Sequence, residues 1–259
     1  MSSFDIIVKD LENLGINKGD VVIVHSSLKS MGNIEGGADT VIDALIEAVG
    51  SQGTVLFPAL SWTPCTTTLK FSVNETPACI GYIPNVFRKR EGVIRSLHPT
   101  HSVCAYGKKA LEITKDHYID DTPVGANSPY RKLIDLNGKI LMLGCGLGPN
   151  TFMHGVEEVA NAPYCLGDPK TFELTDKDGN VTYKSIKQHY FHRPEGNISQ
   201  RYDRVVEVLD KGIDYVEGIV HGATAYLLNA KTLCEKASKK MQESPLFFVD
   251  DLDNIFKMR

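Results

Sequence analysis

Residues 20–58, "DVVIVHSSLKSMGNIEGGADTVIDALIEAVGSQGTVLFP", carry the pattern that decides the fold. The run from Val21 to Val24 is apolar and β-branched, which is typical of a buried strand. The segment "ADTVIDALIEAVG" predicts a helix that Gly50 can end. Its apolar residues share one face: Ile42, Leu45, Ile46 and Val49. "GTVLFP", closed by Pro58, predicts a second strand. Together the three segments predict a βαβ unit with two parallel strands.

The chain up to residue 146 continues this alternation. Further helices are predicted by "FDIIVKDLENLGI" (4–16), "IPNVFRKREG" (83–92) and "SPYRKLIDLNG" (128–138). In the last of these, Ser128 is the expected N-cap and Pro129 the first helical residue. Further strands are predicted by "SVCAYG" (102–107) and "KILMLGCG" (139–146). Residues 61–80 are rich in Thr and Pro and follow neither period, which predicts a long ordered loop.

The C-terminal part of the chain has a different pattern. Residues 169–192 alternate in polarity around Asp178-Gly179, which predicts an antiparallel hairpin. Two helices are then predicted over 200–212 and 222–242. The chain contains no repeat, low-complexity tract or linker. The sequence therefore predicts one α/β domain over residues 1–259, with 169–192 as a hairpin insertion.

Composition and charge exclude several classes of protein. The formal net charge of −4 does not suit a nucleic-acid binder that relies on counterion release. No apolar run reaches the roughly 18 residues of a membrane span, and the N-terminus lacks the pattern of a secretory signal. Six scattered cysteines without a Cys-x-x-Cys pair indicate reduced thiols. We therefore expect a cytoplasmic protein.

Three polar clusters lie next to apolar strands: "VHSSLKSMG" (24–32), "RSLHPTHS" (95–102) and "GPNTFMHGVEE" (148–158). The first and the third follow directly after predicted strands. Ligands of open α/β sheets bind beyond the carboxyl ends of parallel strands. The clusters are therefore the candidate functional regions.

His154 is the first candidate for catalysis. If residues 150–160 begin a helix capped by Asn150 or Thr151, then His154 and Glu157 share one face at i, i+3. Imidazole titrates near neutral pH, and a carboxylate one turn away can orient it. The pattern therefore indicates a general base and its orienting acid. The alternative is a capped helix with a buried histidine and two solvent-facing acids.

A zinc site is a weaker interpretation of the same stretch. His-x-x-Glu-Glu differs by one letter from the His-x-x-Glu-His pattern of one zinc-peptidase class. Glu158 replaces the second histidine, and Gly155 weakens the helix that would hold the ligands. His98 and His101 could add ligands, although they lie in a predicted loop. We therefore expect no catalytic metal.

Other catalytic patterns receive little support. The first polar cluster lacks P-loop spacing, and "GCGLG" misses the last glycine of the dinucleotide fingerprint. Cys145 could act as a nucleophile, but the end of a buried strand is where cysteine usually packs as a small hydrophobe. None of the serines near histidines has the Gly-x-Ser-x-Gly setting of a hydrolase nucleophile.

Taken together, the clusters resemble the aminoglycoside 3-N-acetyltransferase family. The matching stretches are "VHSSLKSMG", "GGADTVIDALIEAVGSQGTVLFPALSW", "IPNVFRKREGVIRSLHPTHSVCAYG", "DDTPVGANSPYRKL" and "LMLGCGLGPNTFMHGVEE". They occur in the order of the family and cover most of residues 20–160, while "GIVHGATAYLLNAKTL" fits more loosely.

The resemblance implies a fold, a reaction and a site. It implies a mixed central sheet and direct acetyl transfer from acetyl-CoA to a small-molecule amine, without a metal. His154 matches the catalytic histidine of the family, and Glu157 matches its acid. By the same resemblance, two groups line the CoA cleft. The group expected near the pantetheine is His25, Ser26, Ser27 and Leu28. The group expected around the thioester end or the phosphates is Arg95, Ser96, His98 and Ser102.

The chain also departs from the family. Drug-modifying members tend to carry acids in the loop after the "FP" strand, where this chain has no carboxylate before Glu75. The acceptor is therefore either the 3-amino group of an aminoglycoside or a different amine. Two other classes stay open: a thioesterase or amide hydrolase with Cys145 or a serine as nucleophile, and a CoA or metabolite binder without activity. The hairpin over 169–192 could shape the acceptor side or form a homodimer contact.

Overall fold

In the computed structural model, which describes residues 1–194 and 196–251, a sheet of seven strands forms the centre of the protein. In order across the sheet the strands are β11 (Tyr215–Val220), β12 (Ala223–Asn229), β6 (Lys139–Leu143), β1 (Val21–Ser26), β2 (Thr54–Pro58), β5 (Val103–Gly107) and β4 (Ile94–Arg95). β6, β1 and β2 run parallel, and the outer strands pair antiparallel. The sheet is mixed, as the resemblance implied.

Helices cover both faces of this sheet. The α-helices are α1 (Ser3–Leu14), α2 (Gly37–Val49), α3 (Trp62–Thr68), α4 (Ile83–Phe87), α5 (Ala110–Thr114), α6 (Pro129–Asp135), α7 (Met153–Val159) and α8 (Ala230–Glu243). Three short 3₁₀ turns span Leu28–Met31, His117–Ile119 and Tyr202–Glu207 among the described residues.

Alternating side chains of the central strands build two separate cores. Val22 and Val24 pack with α1, α2 and α4 on one face of the sheet. Ile23 points to the other face, where it packs in a core formed with α5, α6, α7 and α8. Because the central strands are buried on both faces, their sequences are continuous apolar runs. This is why β1 and β6 could be recognised from sequence.

Two small sheets lie beside the central one. β3 (Lys70–Ser72), β7 (Lys170–Thr175) and β8 (Val181–Ile186) form the first. β9 (His192–Arg193), β10 (Gly196–Gln200) and β13 (Val249–Asp251) form the second. β7 and β8 pair antiparallel around the predicted turn. The fold class expected from sequence, an α/β chain with a small antiparallel excursion, is confirmed.

Most elements predicted before residue 150 occur where they were expected. The βαβ unit is present, with β1 and β2 in parallel register. Gly15 ends α1 in a left-handed conformation with φ 107°. Ser128 caps α6 by accepting a hydrogen bond from the backbone N–H of Arg131. These elements depend on local signals, namely caps, glycine stops and apolar runs.

Three predicted elements were wrong. Residues 61–80 contain α3 and β3 in place of a long loop, because β3 pairs with β7 about a hundred residues later. The helix expected over 222–242 begins only at Ala230, after strand β12. A turn at His221 and Gly222, both with positive φ, joins β11 to β12. The helix expected over 200–212 is only the 3₁₀ turn Tyr202–Glu207.

None of the helices formed by residues 1–194 and 196–251 is both long and apolar enough to cross a membrane.

Candidate active site

The main cavity opens at the carboxyl ends of the parallel strands. Its volume is about 660 Å³, within the usual range for small-molecule sites. β1 supplies His25 and Ser26, and the segment after β6 supplies Cys145, Asn150 and Thr151. The opposite wall consists of residues from 188–192 and 198–202. The first and third polar clusters therefore meet here, as the sequence predicted.

His154 faces this cavity from the first turn of α7. Its Nδ1 lies 3.1 Å from Oε2 of Glu157, and its side chain keeps 11% of its surface exposed while that of Glu157 keeps none. Because Nδ1 is turned to the carboxylate, Nε2 is the ring nitrogen left for a ligand. The predicted i, i+3 contact is present.

Two tyrosine hydroxyls hold the buried Glu157 carboxylate. Tyr202 donates to Oε2 at 2.8 Å, and Tyr164 donates to Oε1 at 3.1 Å. Burial and the nearby carboxylate raise the pKa of both phenols, so they remain protonated donors. The Tyr202 oxygen also lies 2.9 Å from Nδ1 of His154. These hydrogen bonds therefore offset the free-energy cost of burying the Glu157 carboxylate, and they fix the orientation of the histidine ring.

His25 supports the loop that leads into α7. Its Nε2 accepts a hydrogen bond from the backbone N–H of Thr151 at 3.0 Å. Burial, followed by the proximity of His154, lowers the pKa of His25 to about 3, so the ring is neutral. A neutral ring is required because Nε2 must keep its lone pair to accept from Thr151.

Of the other three residues expected near the pantetheine, one lines the cavity and two are not among its described lining residues. Ser26 lines the cavity. Ser27 and Leu28 enter the 3₁₀ turn that follows β1 and are not among the described lining residues. The Ser27 hydroxyl lies 2.9 Å from that of Ser30, and Leu28 packs against the core under α1 and α2.

Only part of the second polar cluster reaches the cavity, through Thr100 and His101. Four of its residues were expected around the thioester or the phosphates: Arg95, Ser96, His98 and Ser102. All four are buried, and none is among the described lining residues. The Arg95 guanidinium donates to Ser102 Oγ and to the carbonyl of Ala59, both at 3.0 Å.

Ser96 and His98 also contact other residues of the protein. The Ser96 hydroxyl lies 2.9 Å from Nδ1 of His117, and the His98 ring stacks on His117 with a centroid distance of 4.5 Å. Nδ1 of His98 accepts a hydrogen bond from the backbone N–H of His101 at 3.0 Å. Nε2 of His98 is buried without a hydrogen-bond partner among the described residues, while the other polar side-chain atoms of the group bond to the protein. The contact of these four residues with CoA stays a prediction, which the described lining of the cavity does not support.

The sequence connected His101 with His154 only as a possible additional metal ligand, and it did not connect His189 with His154. The His189 ring lies over His154 with a centroid distance of 4.1 Å, and His101 meets both rings edge-on. Nε2 of His189 lies 3.1 Å from Oε1 of Glu158, whose side chain is only 7% exposed. Burial lowers the pKa of His189 and raises that of Glu158. The alternative with two solvent-facing acids is therefore wrong, since the side chains of Glu157 and Glu158 are both buried.

Cys145 lines the cavity, but its thiol is poorly suited to attack. Burial raises its pKa to about 11, so the nucleophilic thiolate is scarce at neutral pH. Its Sγ lies 3.6 Å from the carbonyl oxygen of Gly146. This environment is typical of a packing cysteine.

A mixed sheet with a cavity at the carboxyl ends of its parallel strands is the architecture of an α/β enzyme. Comparison with known proteins identifies which kind. Residues 23–242 match the family model described as aminoglycoside 3-N-acetyltransferase, and the chain belongs to this family.

Curated relatives agree with this assignment. Aminoglycoside N(3)-acetyltransferase III of Serratia marcescens is 33% identical over 261 residues, covering 90% of this chain and 94% of that protein. Aminoglycoside N(3)-acetyltransferase VII of Streptomyces paromomycinus is 33% identical over 175 residues, which is 61% of this chain. The chain spans about 60% of the length of that Streptomyces protein.

Solved structures match over nearly the whole chain. A variant of aminoglycoside acetyltransferase AAC(3)-IVa in complex with a gentamicin has a TM-score of 0.79 at 27% identity, covering 95% of this chain and 90% of that one. AAC-IIIb in a binary complex with CoASH has a TM-score of 0.77 at 26% identity, covering 94% and 97%. The family predicted from sequence is confirmed.

Proposed function

We propose that this chain transfers the acetyl group of acetyl-CoA directly to a small-molecule amine, with His154 as general base and Glu157 as the acid that orients it. The observation that carries the proposal is the 3.1 Å contact between His154 and Glu157 at the cavity. Tyr202 and Tyr164 support this contact by holding both carboxylate oxygens. Family membership supports the reaction.

The geometry suits proton removal from an attacking amine. An aliphatic amine is mostly protonated at neutral pH and attacks a thioester only after losing a proton. Nε2 of His154 faces the cavity and can accept this proton, while Glu157 stabilises the resulting imidazolium. As the C–N bond forms and the C–S bond breaks, the imidazolium can return this proton to the departing thiolate, and the second proton of the amine nitrogen leaves to solvent as the neutral amide forms. Acetyl-CoA supplies the activated acyl group as a thioester.

The cavity fits the reacting part of acetyl-CoA together with a small acceptor. Ser26, Cys145 and Asn150 lie on the side of the parallel strands, and Leu60 and Pro84 add apolar surface. These residues would border the pantetheine arm and the thioester. Supporting this proposal, AAC-IIIb with a similar fold has been solved with CoASH.

The first acceptor to test is the 3-amino group of an aminoglycoside. Family membership and the gentamicin complex of a structural neighbour favour it. Another observation favours an amine with fewer positive charges: the described lining residues include no Asp or Glu. A polycationic sugar would find no carboxylate partner in this lining.

A thermal melt with acetyl-CoA is the first test of the proposal. At about 100 times the dissociation constant, binding adds about 2.7 kcal/mol to the free energy of unfolding. The midpoint should then rise by about 5–10 °C for a chain of this size. Gentamicin and a panel of monoamines would follow, with CoA release as the readout. Absence of any midpoint shift would contradict acetyl-CoA as the cosubstrate, and a shift without CoA release would favour the binder without activity.

Replacement of Cys145 by alanine separates direct transfer from a covalent hydrolase mechanism. We expect Cys145→Ala to retain kcat for acetyl transfer within about twofold, because the protonated thiol takes no part in the reaction. The measurement is CoA release with and without the acceptor. A large loss of activity, together with an acyl-enzyme trapped on the unmodified chain, would instead support the thioesterase or amide hydrolase alternative.

The remaining assignments rest on fewer observations. We propose a cytoplasmic location because all six cysteines are free, as expected in a reducing compartment.

A homodimer contact through the β7–β8 hairpin stays a prediction. Exposed Val181 and Tyr183 are side chains that such a contact would bury, and light scattering of the full chain tests it.

A further inference from the structure

Three imidazoles converge on one point of the cavity wall. His101, His154 and His189 each offer one ring nitrogen, and the three nitrogens lie within 4.8 Å of one another. All three residues line the cavity. They come from three separate segments, and the tertiary fold alone brings them together.

The opposite nitrogen of each ring is held by a side-chain oxygen. Nδ1 of His154 faces Glu157, and Nε2 of His189 faces Glu158, both at 3.1 Å. Nδ1 of His101 lies 2.9 Å from Oγ1 of Thr100. Each contact leaves the other nitrogen of the ring for a ligand. Nδ1 of His189 is buried and has no hydrogen-bond partner among the described residues.

This arrangement matches the second shell of a metal site. Histidine ligands usually donate their other N–H to a carboxylate or another oxygen, which fixes the ring and raises the basicity of the ligating nitrogen. Two of the three histidines have a carboxylate partner. Three imidazoles with one open position form a donor set that suits Zn²⁺ and Cu²⁺.

We propose that His101, His154 and His189 bind a transition-metal dication, with Zn²⁺ as the reference ion, and that the bound ion inhibits acetyl transfer. The inhibition rests on the proposed function, because the metal would occupy the nitrogen of His154 that serves as the base. The metal-binding part does not depend on it. The ion is therefore an inhibitor of the enzyme and takes no part in the reaction.

To bind zinc, the three ring nitrogens must move somewhat closer together. Bonds of about 2.0–2.1 Å in a tetrahedral site place ligand nitrogens about 3.3 Å apart, which is shorter than the 4.8 Å limit of the cluster. Rotation of the three side chains toward one another can supply the difference. The fourth position then faces the cavity, where water or the acceptor amine can coordinate.

Direct binding of the metal is the decisive experiment. The full chain, freed of metal by a chelator that is then removed, is titrated with Zn²⁺ by calorimetry and with Co²⁺ by visible absorption. We expect one equivalent to bind and the Co²⁺ complex to show the intense bands of tetrahedral coordination. In the native enzyme, Zn²⁺ should also abolish CoA release, and a chelator should restore it.

Matched variants identify the ligands. His189→Gln should weaken Zn²⁺ binding by about 100-fold or more, since loss of a ligand exceeds the 10–100-fold typical of an outer-shell change. His101→Gln is the second variant, so that misfolding of one does not decide the result. The control is His192→Gln, a histidine that lines the same cavity outside the cluster. It should bind Zn²⁺ with unchanged affinity.

Several results would overturn the proposal. These are absence of a stoichiometric Zn²⁺ or Co²⁺ complex, equal affinity in folded His189→Gln and His101→Gln, or loss of binding in Cys145→Ala, which would assign the ion to the thiol. If the protein bound the metal but the metal-free enzyme showed no acetyl transfer, the metal site would be supported and the proposed function contradicted. The two failures are therefore distinguishable.

Discussion

The variant His154→Ala is expected to lower kcat for acetyl transfer by about 10²–10⁴-fold, the usual contribution of a positioned general base. The reason is the geometry at α7, where Glu157 and Tyr202 hold Nδ1 and leave Nε2 toward the cavity. Acetyl-CoA should still raise the thermal midpoint of the variant, because the base acts on the acceptor. The measurement is CoA release under saturating acetyl-CoA across a range of pH.

The pH profile distinguishes a lost base from general damage. With His154 removed, the remaining activity should rise toward alkaline pH, because the amine then depends on solvent for its deprotonation. His192→Gln is the matched control, since it changes another cavity histidine without a contact to Glu157. If His154→Ala retained kcat within a few-fold of the native chain, the assignment of His154 as base would be refuted.

A loss of stability between about pH 6.5 and pH 5 is the second large effect that we expect. Burial lowers the pKa of His25 and of His117 to about 3, while the unfolded chain protonates histidine near 6.5. Lys132 and Lys184 also act against a charged His117. Below pH 6.5 the unfolded state therefore binds protons that the folded state does not bind, so the population of the unfolded state rises as pH falls.

The size of this effect follows from linkage. Each such histidine lowers the free energy of unfolding by about 1.4 kcal/mol per pH unit between its two pKa values. From pH 7 to pH 5, His25 and His117 together remove about 4 kcal/mol. Burial also lowers the pKa of three further histidines, which act in the same direction: His98, His101 and His189.

Urea unfolding at several pH values between about 7 and 5 measures this slope. This window lies above the usual pKa range of carboxylates, so the histidines dominate it. Burial raises the pKa of Asp120 and of Glu158, and their protonation in the folded state acts in the opposite direction. His117→Gln should reduce the slope by about one proton. The same substitution removes the contact with Ser96, so the absolute stability falls while the pH dependence becomes weaker. A free energy of unfolding that stays constant from pH 6.5 to pH 5 would contradict the neutral, buried state of these rings.

The sequence was most informative where one local signal controls one element. The apolar run of residues 21–24 predicted β1, and the amphipathic period of residues 38–50 predicted α2. Gly50 marked the end of α2, and Pro58 marked the end of β2. The contact between His154 and Glu157 follows from helical spacing alone, because residues at i, i+3 share a face. The meeting of β1 and β6 at one cavity follows from the rule for parallel strands. The contact between His154 and Glu157 needs no knowledge of distant segments.

The rest of the site depends on pairings that local patterns do not contain. Tyr202 lies 45 residues after Glu157 and His189 lies 31 residues after Glu158, in segments predicted as a helix and a hairpin. Arg95 stands next to histidines in sequence, but the path of the chain between β4 and β5 turns its guanidinium inward. Polarity indicated that these side chains need partners. It did not indicate whether the partner is a ligand or the protein.

The two walls of the cavity come from different parts of the chain, and only part of the facing wall supports the catalytic pair. The base and its acid sit on α7, directly after the most apolar strand of the core. The facing wall is built by residues 188–192 and 198–202, outside the central sheet. Tyr202 and His189 in that wall contact the catalytic pair and are constrained by it, whereas the exposed His192 and Gln200 can be substituted at little cost to the core that positions His154. One scaffold can in this way acquire new amine acceptors over evolutionary time, and segment exchange between relatives is a direct route to altered selectivity.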